Sequence, residues 1–131
     1  MNTKDVGDRT VAMVMAALVK TGRVLLIPFG DNRRYDLAVD DGGRLVRIQC
    51  KTGRLIGGSV SFPTASSYSH RGGVRRSYKG EADFFGVYCP QLDKVYFVPV
   101  DEVGEVEARL RVEPCKNNQT HLVRLASTYE I

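Results

Sequence analysis

Asp36, Gln49 and Lys51 fall within one stretch, "RYDLAVDDGGRLVRIQCKTGR", residues 34 to 54. They offer a carboxylate, an amide oxygen and an ammonium. Hard oxygen donors of this kind suit Mg²⁺, which keeps several waters and takes one or two carboxylates together with substrate phosphate. Such an ion acidifies a water and neutralises phosphate charge, and a lysine beside it can orient the water or steady the phosphorus. From residue types alone, a polar trio on the solvent face of an amphipathic hairpin is the simpler reading.

Whether the three can meet depends on the elements that carry them. Residues 34 to 40 and 44 to 51 read as two strands, and Gly42-Gly43 as the two-residue turn between them. Successive strand residues face opposite sides, so Leu45, Arg47, Gln49 and Lys51 share one face and Val46, Ile48 and Cys50 the other. A two-residue turn pairs position 40 with 45, 38 with 47 and 36 with 49. Asp36 then stands opposite Gln49, and Lys51 lies on the diagonal within reach of a long side chain. A three-residue turn would put Asp36 and Gln49 on opposite faces.

The remaining chain frames this hairpin. Thr3 is the expected N-cap of a helix whose stripe is Val6, Thr10, Val14, Ala17 and Leu18, widened by Val11, Met15 and Val19. Such a helix is buried on most of its girth, and Gly22 ends it. "VLLIP" at 24 to 28 predicts a short buried strand and "GSVSF" at 58 to 62 a third one after the hairpin. Residues 64 to 80, rich in Ser, Gly and Arg, predict a long loop of the kind that is often functional. "DFFGVYCP" and "KVYFVPV" predict two strong strands joined by "PQLD". "VDEVGE" predicts a helical turn, "VEARLRV" a strand and "HLVRLAS" a short helix. No repeat or linker interrupts the chain, so one domain over residues 1 to 131 is expected.

Composition excludes several classes. With 43% hydrophobic and 26% charged residues, the chain is of ordinary globular type. The longest apolar run, "VAMVMAALV" at 11 to 19, is too short to span a bilayer, and no signal peptide is evident, which predicts a cytoplasmic protein without a membrane partner. Cys50, Cys89 and Cys115 are widely spaced and form no C-x-x-C pair, so reduced thiols are expected rather than a zinc site.

Charge is unevenly spread. Residues 1 to 80 hold 14 Lys/Arg against 6 Asp/Glu, and residues 81 to 131 hold 5 against 9. A phosphate backbone is the commonest partner of such a basic field. Arg71, Arg75, Arg76 and Lys79 crowd the 64–80 loop, and Arg33, Arg34 and Arg47 lie on or beside the hairpin; these seven are the candidate DNA contacts. His70 reads as a contact or bystander, Tyr68 and Tyr78 as loop anchors, and Asp83 as a cap or salt-bridge partner.

"YDLAVDDGGRLVRIQCK" resembles the core of the PD-(D/E)XK nuclease superfamily, in which an Asp on one strand precedes an acidic residue or Gln, any residue, then Lys on the next. "LIPFGDNRRYD" and "YKGEADFFGVYCPQLDKVYFVPVDEV" resemble the branch that includes a bacterial group I intron homing endonuclease. The resemblance runs from about Thr3 through Tyr129. It implies an α/β fold, with a mixed central sheet flanked by helices in an αβββαβ core, and metal-dependent hydrolysis of phosphodiester bonds in double-stranded DNA. Asp36, the Gln49 side chain and the Cys50 carbonyl would hold Mg²⁺, or Mn²⁺ in its place, and Asp36, Gln49 and Lys51 would be the catalytic set. The helix Glu common in the superfamily falls here at about Val11, which has no metal-binding group; Asp8, one turn earlier, is the candidate replacement. A non-catalytic DNA-binding protein on a decayed nuclease fold and a junction-selective nuclease are the alternatives. Cutting both strands would favour a homo-oligomer, expected to assemble through residues 81 to 131.

Overall fold

A computed structural model describes residues 1–30, 33–67, 75–113 and 123–131. Helix α1 (Thr3–Lys20) is followed by strands β1 (Val24–Leu26), β2 (Leu37–Asp40), β3 (Leu45–Thr52), β4 (Arg54–Ile56) and β5 (Ser59–Pro63). Then come β6 (Ala65–Ser67), β7 (Arg75–Ser77), β8 (Phe84–Cys89), β9 (Lys94–Pro99), a 3-10 turn at Val100–Glu102, β10 (Glu107–Arg111) and the one-turn helix α2 (Ala126–Tyr129). No helix among the described residues is long and apolar enough to cross a membrane.

The central sheet has the order β1-β2-β3-β8-β9. It is mixed: β3 pairs β8 in parallel and every other pairing is antiparallel. The hairpin has the register that an even turn requires, with Asp40 opposite Leu45 and Ala38 opposite Arg47. Asp41 N donates to Arg44 O at 2.8 Å across the turn. Gly42 and Gly43 both have positive φ, 62° and 101°, which side chains rarely adopt but a primed hairpin turn needs.

Helix α1 covers one face of this sheet. Asn2 rather than Thr3 is its N-cap, accepting from Asp5 N through its side chain. Thr10, Val14 and Leu18 form the buried stripe, against Leu37, Val46, Ile48 and Cys50. Val14 and Leu18 each contribute on the order of 2 kcal/mol by burial. Gly86 on β8 permits the close approach: a Cβ there would stand 2.7 Å from Val14 Cγ1. The helix is less buried than its composition suggests, with Val19 exposed to solvent, because only its sheet-facing side is covered.

The opposite face is covered by a sheet. Strands β10-β5-β4 form a three-stranded antiparallel unit, and Val60, Phe62, Ala108 and Leu110 pack toward Phe85, Val87 and Cys89. A parallel β3–β8 pairing demands a crossover; among the described residues that crossover is made of strands β4 to β7 in place of the helix that an αβββαβ order calls for. The mixed central sheet is as expected, whereas its second cover is β-structure.

Three other expectations shift. Residues 24 to 26 form an exposed edge strand rather than a buried one, because β1 has a partner on one side only. The ends of the 64–80 segment are paired, Ala65 with Ser77 and Ser67 with Arg75, as a two-stranded ribbon. The last helix spans Ala126–Tyr129, later than "HLVRLAS" suggested. Tyr68, His70, Arg71, Cys115 and His121 lie outside the described residues.

Candidate active site

The entry to β2 and the second half of β3 build the site around the main chain of Cys50. Asp36 lies one residue before β2, where the chain bends, and its N–H donates to Ile48 O at 2.8 Å. Its carboxylate Oδ2 accepts from Cys50 N at 2.8 Å. Gln49 Nε2 reaches the Cys50 carbonyl at 3.4 Å. The Cys50 main chain therefore touches the acid through its N–H and the amide through its C=O, which belong to successive peptide groups. The Cys50 side chain points the other way, into the core under α1, as strand alternation dictates.

Burial dominates the electrostatics of Asp36. Desolvation pushes its carboxyl above the ordinary value, although the Cys50 N–H and the Lys51 charge both pull it down. A carboxylate in that position gains from a neighbouring cation. The Cys50 thiol is pushed far up by burial and by the Asp36 charge, which leaves no thiolate for nucleophilic chemistry. Cys50 and Cys89 are buried and unbridged.

Gln49 and Lys51 are half-buried on the face opposite α1, in register with Phe85 and Val87 of β8. Lys51 Nζ donates to Tyr78 Oη at 3.0 Å. Tyr78 is itself buried, edge-on to Phe85 at 5.7 Å between centroids. Asp8 is exposed, Val11 packs against the core on the α1 side, and Thr10 meets Thr52 with 2.6 Å between hydroxyl oxygens. Among the described residues no three His, Cys, Asp or Glu side chains gather as a metal site.

The donor set nonetheless fits a hard dication that retains water. One carboxylate, one amide and one main-chain carbonyl meet at Cys50, and substrate phosphate supplies the further oxygens Mg²⁺ requires. The 3.4 Å contact from Gln49 Nε2 is a weak hydrogen bond that a ligand to the Cys50 carbonyl can displace.

The PD-(D/E)XK endonuclease family profile matches residues 1–131. The chain belongs to that family. A bacterial homing endonuclease of known structure, I-Ssp6803I, superposes with a TM-score of 0.79 at 28% identity, over 99% of this chain and 89% of that one. No curated protein matches the sequence. The Asp36, Gln49 and Lys51 pattern is thus set in a chain whose whole length belongs to PD-(D/E)XK endonucleases.

The basic residues fall into two groups within this endonuclease fold. Arg34 and Arg47, both partly buried, and the exposed Arg76 are engaged in ion pairs. Arg47 donates from its main chain and guanidinium to Asp83 (2.8, 3.3 and 3.4 Å) and to Gly80 O. Arg34 and Arg76 share Glu81, at 2.5 and 2.6 Å. Asp83 is held below its ordinary value: burial works to raise it, but the hydrogen bonds and charge of Arg47 outweigh that. Glu81 is lowered by its bond from Arg76 first, with Arg34 adding to it. Arg33, Arg75 and Lys79 are exposed; Arg33 Nε donates to Phe29 O, and Lys79 reaches Glu105 at 3.7 Å.

A second basic surface was not evident from the sequence. On the outer face of the three-stranded sheet, Arg54, Ser61 and Arg109 are in one row across β4, β5 and β10, and Ile56, Ser59 and Arg111 in the next. Charge totals place residues 81 to 131 on the acidic side, but Arg109 and Arg111 project from the face that also carries Arg54. Only strand pairing reveals that grouping. Tyr78 was likewise expected as a loop anchor, and nothing in its sequence surroundings points to Lys51.

Proposed function

We propose that this chain is a metal-dependent endonuclease of double-stranded DNA, with Asp36, the Gln49 side-chain oxygen and the Cys50 carbonyl as the Mg²⁺ or Mn²⁺ ligands. The observation that carries this reading is the engagement of the Cys50 main chain by both Asp36, at its N–H, and Gln49, at its C=O, with Lys51 next in line. A divalent cation held there would supply Lewis-acid polarisation of the scissile phosphate and an acidified water. Asp36 provides the one negative charge of the ligand set. The Lys51 ammonium places a positive charge where the phosphate gains negative charge. Membership of the PD-(D/E)XK endonuclease family and likeness to a homing endonuclease support DNA as substrate. Arg33, Arg75 and Lys79 are the exposed candidates for phosphate contacts, joined by Arg71; Arg34, Arg47 and Arg76 would support them from their ion pairs. A cytoplasmic protein of one domain that works as a homo-oligomer completes the reading, since one such site cuts one strand.

Incubation with plasmid and branched DNA, comparing Mg²⁺, Mn²⁺ and EDTA, tests this. Metal-dependent cleavage that Asp36→Ala abolishes is expected. Full cleavage by Asp36→Ala, in a preparation free of contaminating nuclease, would end the catalytic reading. One observation favours a second reading, a non-catalytic DNA-binding protein: Val11 packs with apolar neighbours where the family often has a Glu, leaving Asp36 as the sole charged ligand. DNA binding without cleavage in any metal is the outcome that reading expects.

A further inference from the structure

We propose that Tyr78 is a positioning residue for Lys51, and that Arg34 holds Tyr78 in place for that task. This rests on Lys51 acting at the phosphate as described above.

A lysine ammonium on four rotatable bonds has no fixed place of its own. Here Lys51 Nζ donates to the Tyr78 phenol oxygen at 3.0 Å and stands 4.6 Å from the ring centroid. The phenol cannot swing away. Tyr78 is only 4% exposed, and its ring meets Phe85 edge-on at 89°. The Arg34 guanidinium lies 4.0 Å from the ring centroid. The backbone is fixed as well, because Tyr78 O accepts from both Glu81 N and Ala82 N at 3.0 Å.

Arg34 is in turn the most heavily bonded side chain around the site. It donates to Glu81 (2.5 Å), Ser66 Oγ (2.6 Å), Ser77 O (2.7 Å) and Arg76 O (3.3 Å). Ser66 belongs to β6, and Arg76 and Ser77 to β7. The ribbon that carries Arg75 and Arg76 is therefore tied through Arg34 to the ring that holds Lys51. The phenol oxygen accepts from the ammonium and keeps its own proton for another acceptor, so no proton transfer between the two groups is required. Tyr78 acts through Lys51 and takes no part in bond making.

Tyr78→Phe separates this role from packing, since it keeps the ring, the Phe85 contact and the Arg34 stack while removing only the acceptor oxygen. Four readouts are needed: the single-turnover cleavage rate at saturating DNA with Mg²⁺, DNA affinity in EDTA, Tm, and the ¹⁵N resonance of the Lys51 ammonium. The expected result is a rate lowered by between about tenfold and a hundredfold, the range of a displaced reacting group, with DNA affinity and Tm nearly unchanged. The Lys51 ammonium should lose its protection from exchange, and Tyr78→Phe should add no further loss in a Lys51→Ala background. An unchanged rate with an unchanged Lys51 resonance would overturn the proposal. So would a slower rate accompanied by lower Tm or weaker DNA binding while the Lys51 resonance stays as in the wild type, since that assigns Tyr78 to the fold alone. Should the wild type cleave no DNA in any metal, the nuclease reading fails by itself, and the Lys51 resonance in wild type and Tyr78→Phe still decides the contact.

Discussion

The Asp36 carboxylate is bonded to the main-chain N–H of Cys50 at 2.8 Å, which fastens the acid that precedes β2 to the Gln49–Cys50 peptide of β3. The same group therefore has a structural duty and a proposed ligand duty, and substitutions can separate them. Asp36→Asn keeps an acceptor for Cys50 N but loses the charge. Asp36→Ala leaves that N–H without its partner, a cost of about 1–3 kcal/mol. Both variants are expected to lose metal binding and cleavage, with Asn the more stable by about 1 kcal/mol. DNA affinity should hold or rise as a negative charge near phosphate is removed. Isothermal titration with Mn²⁺ and urea unfolding check the two halves; equal stability of Asn and Ala would show that the Cys50 bond contributes nothing.

Lys51→Ala should behave differently, because an ammonium is not a ligand. Cleavage is expected to fall on the order of 10²-fold or more, as for loss of a charge-stabilising contact, while Mn²⁺ affinity stays near the wild-type value. Metal titration alongside single-turnover kinetics gives the answer. A parallel loss of metal binding would place Lys51 in the structure of the site rather than in its chemistry.

Acid should weaken the ties that hold the ribbon and β8 to the hairpin. Asp83 and Glu81 both have folded pKa values below their ordinary 3.8 and 4.5. A carboxyl lowered on folding binds fewer protons in the native state, so its contribution is complete above the ordinary value and disappears as pH falls through the folded one. Tm should therefore drop between about pH 5 and pH 3, and Asp83→Asn or Glu81→Gln should flatten that drop. Scanning calorimetry across this range is the check, and identical slopes in wild type and variants would rule these pairs out as the cause.

Duplex DNA binding should weaken steeply with salt as phosphate contacts release counterions. Arg33→Ala and Arg75→Ala remove exposed guanidiniums and should each reduce the salt slope by about one unit with little effect on Tm. Arg47→Ala removes the clamp on Asp83 and Gly80, so its main cost is expected in stability. Fluorescence anisotropy at several salt concentrations separates the two classes. A lower salt slope for Arg47→Ala than for Arg75→Ala would reverse the assignment.

The sequence by itself determined the hairpin and which residues share its faces. Strand alternation has a period of two and Gly42-Gly43 allows the positive φ of a two-residue turn, so the register that brings Asp36 toward Gln49 was the one local rules favoured. The β8–β9 pair was legible for the same reason: strong alternating strands joined by a short turn. What only the tertiary structure decided lies between residues far apart in the chain. Lys51 meets Tyr78, Arg34 meets Glu81 and Arg47 meets Asp83 because β8 is laid parallel beside β3 and the intervening strands fold over the open face. No local propensity encodes which side chains such a crossover brings together, and a Tyr or Glu in a Ser- and Arg-rich segment has the same sequence appearance whether it is solvated or packed beside Lys51. Helix α1 shows the limit from the other side: its apolar stripe was readable, but how much of it is buried depended on the sheet covering one side of the helix alone.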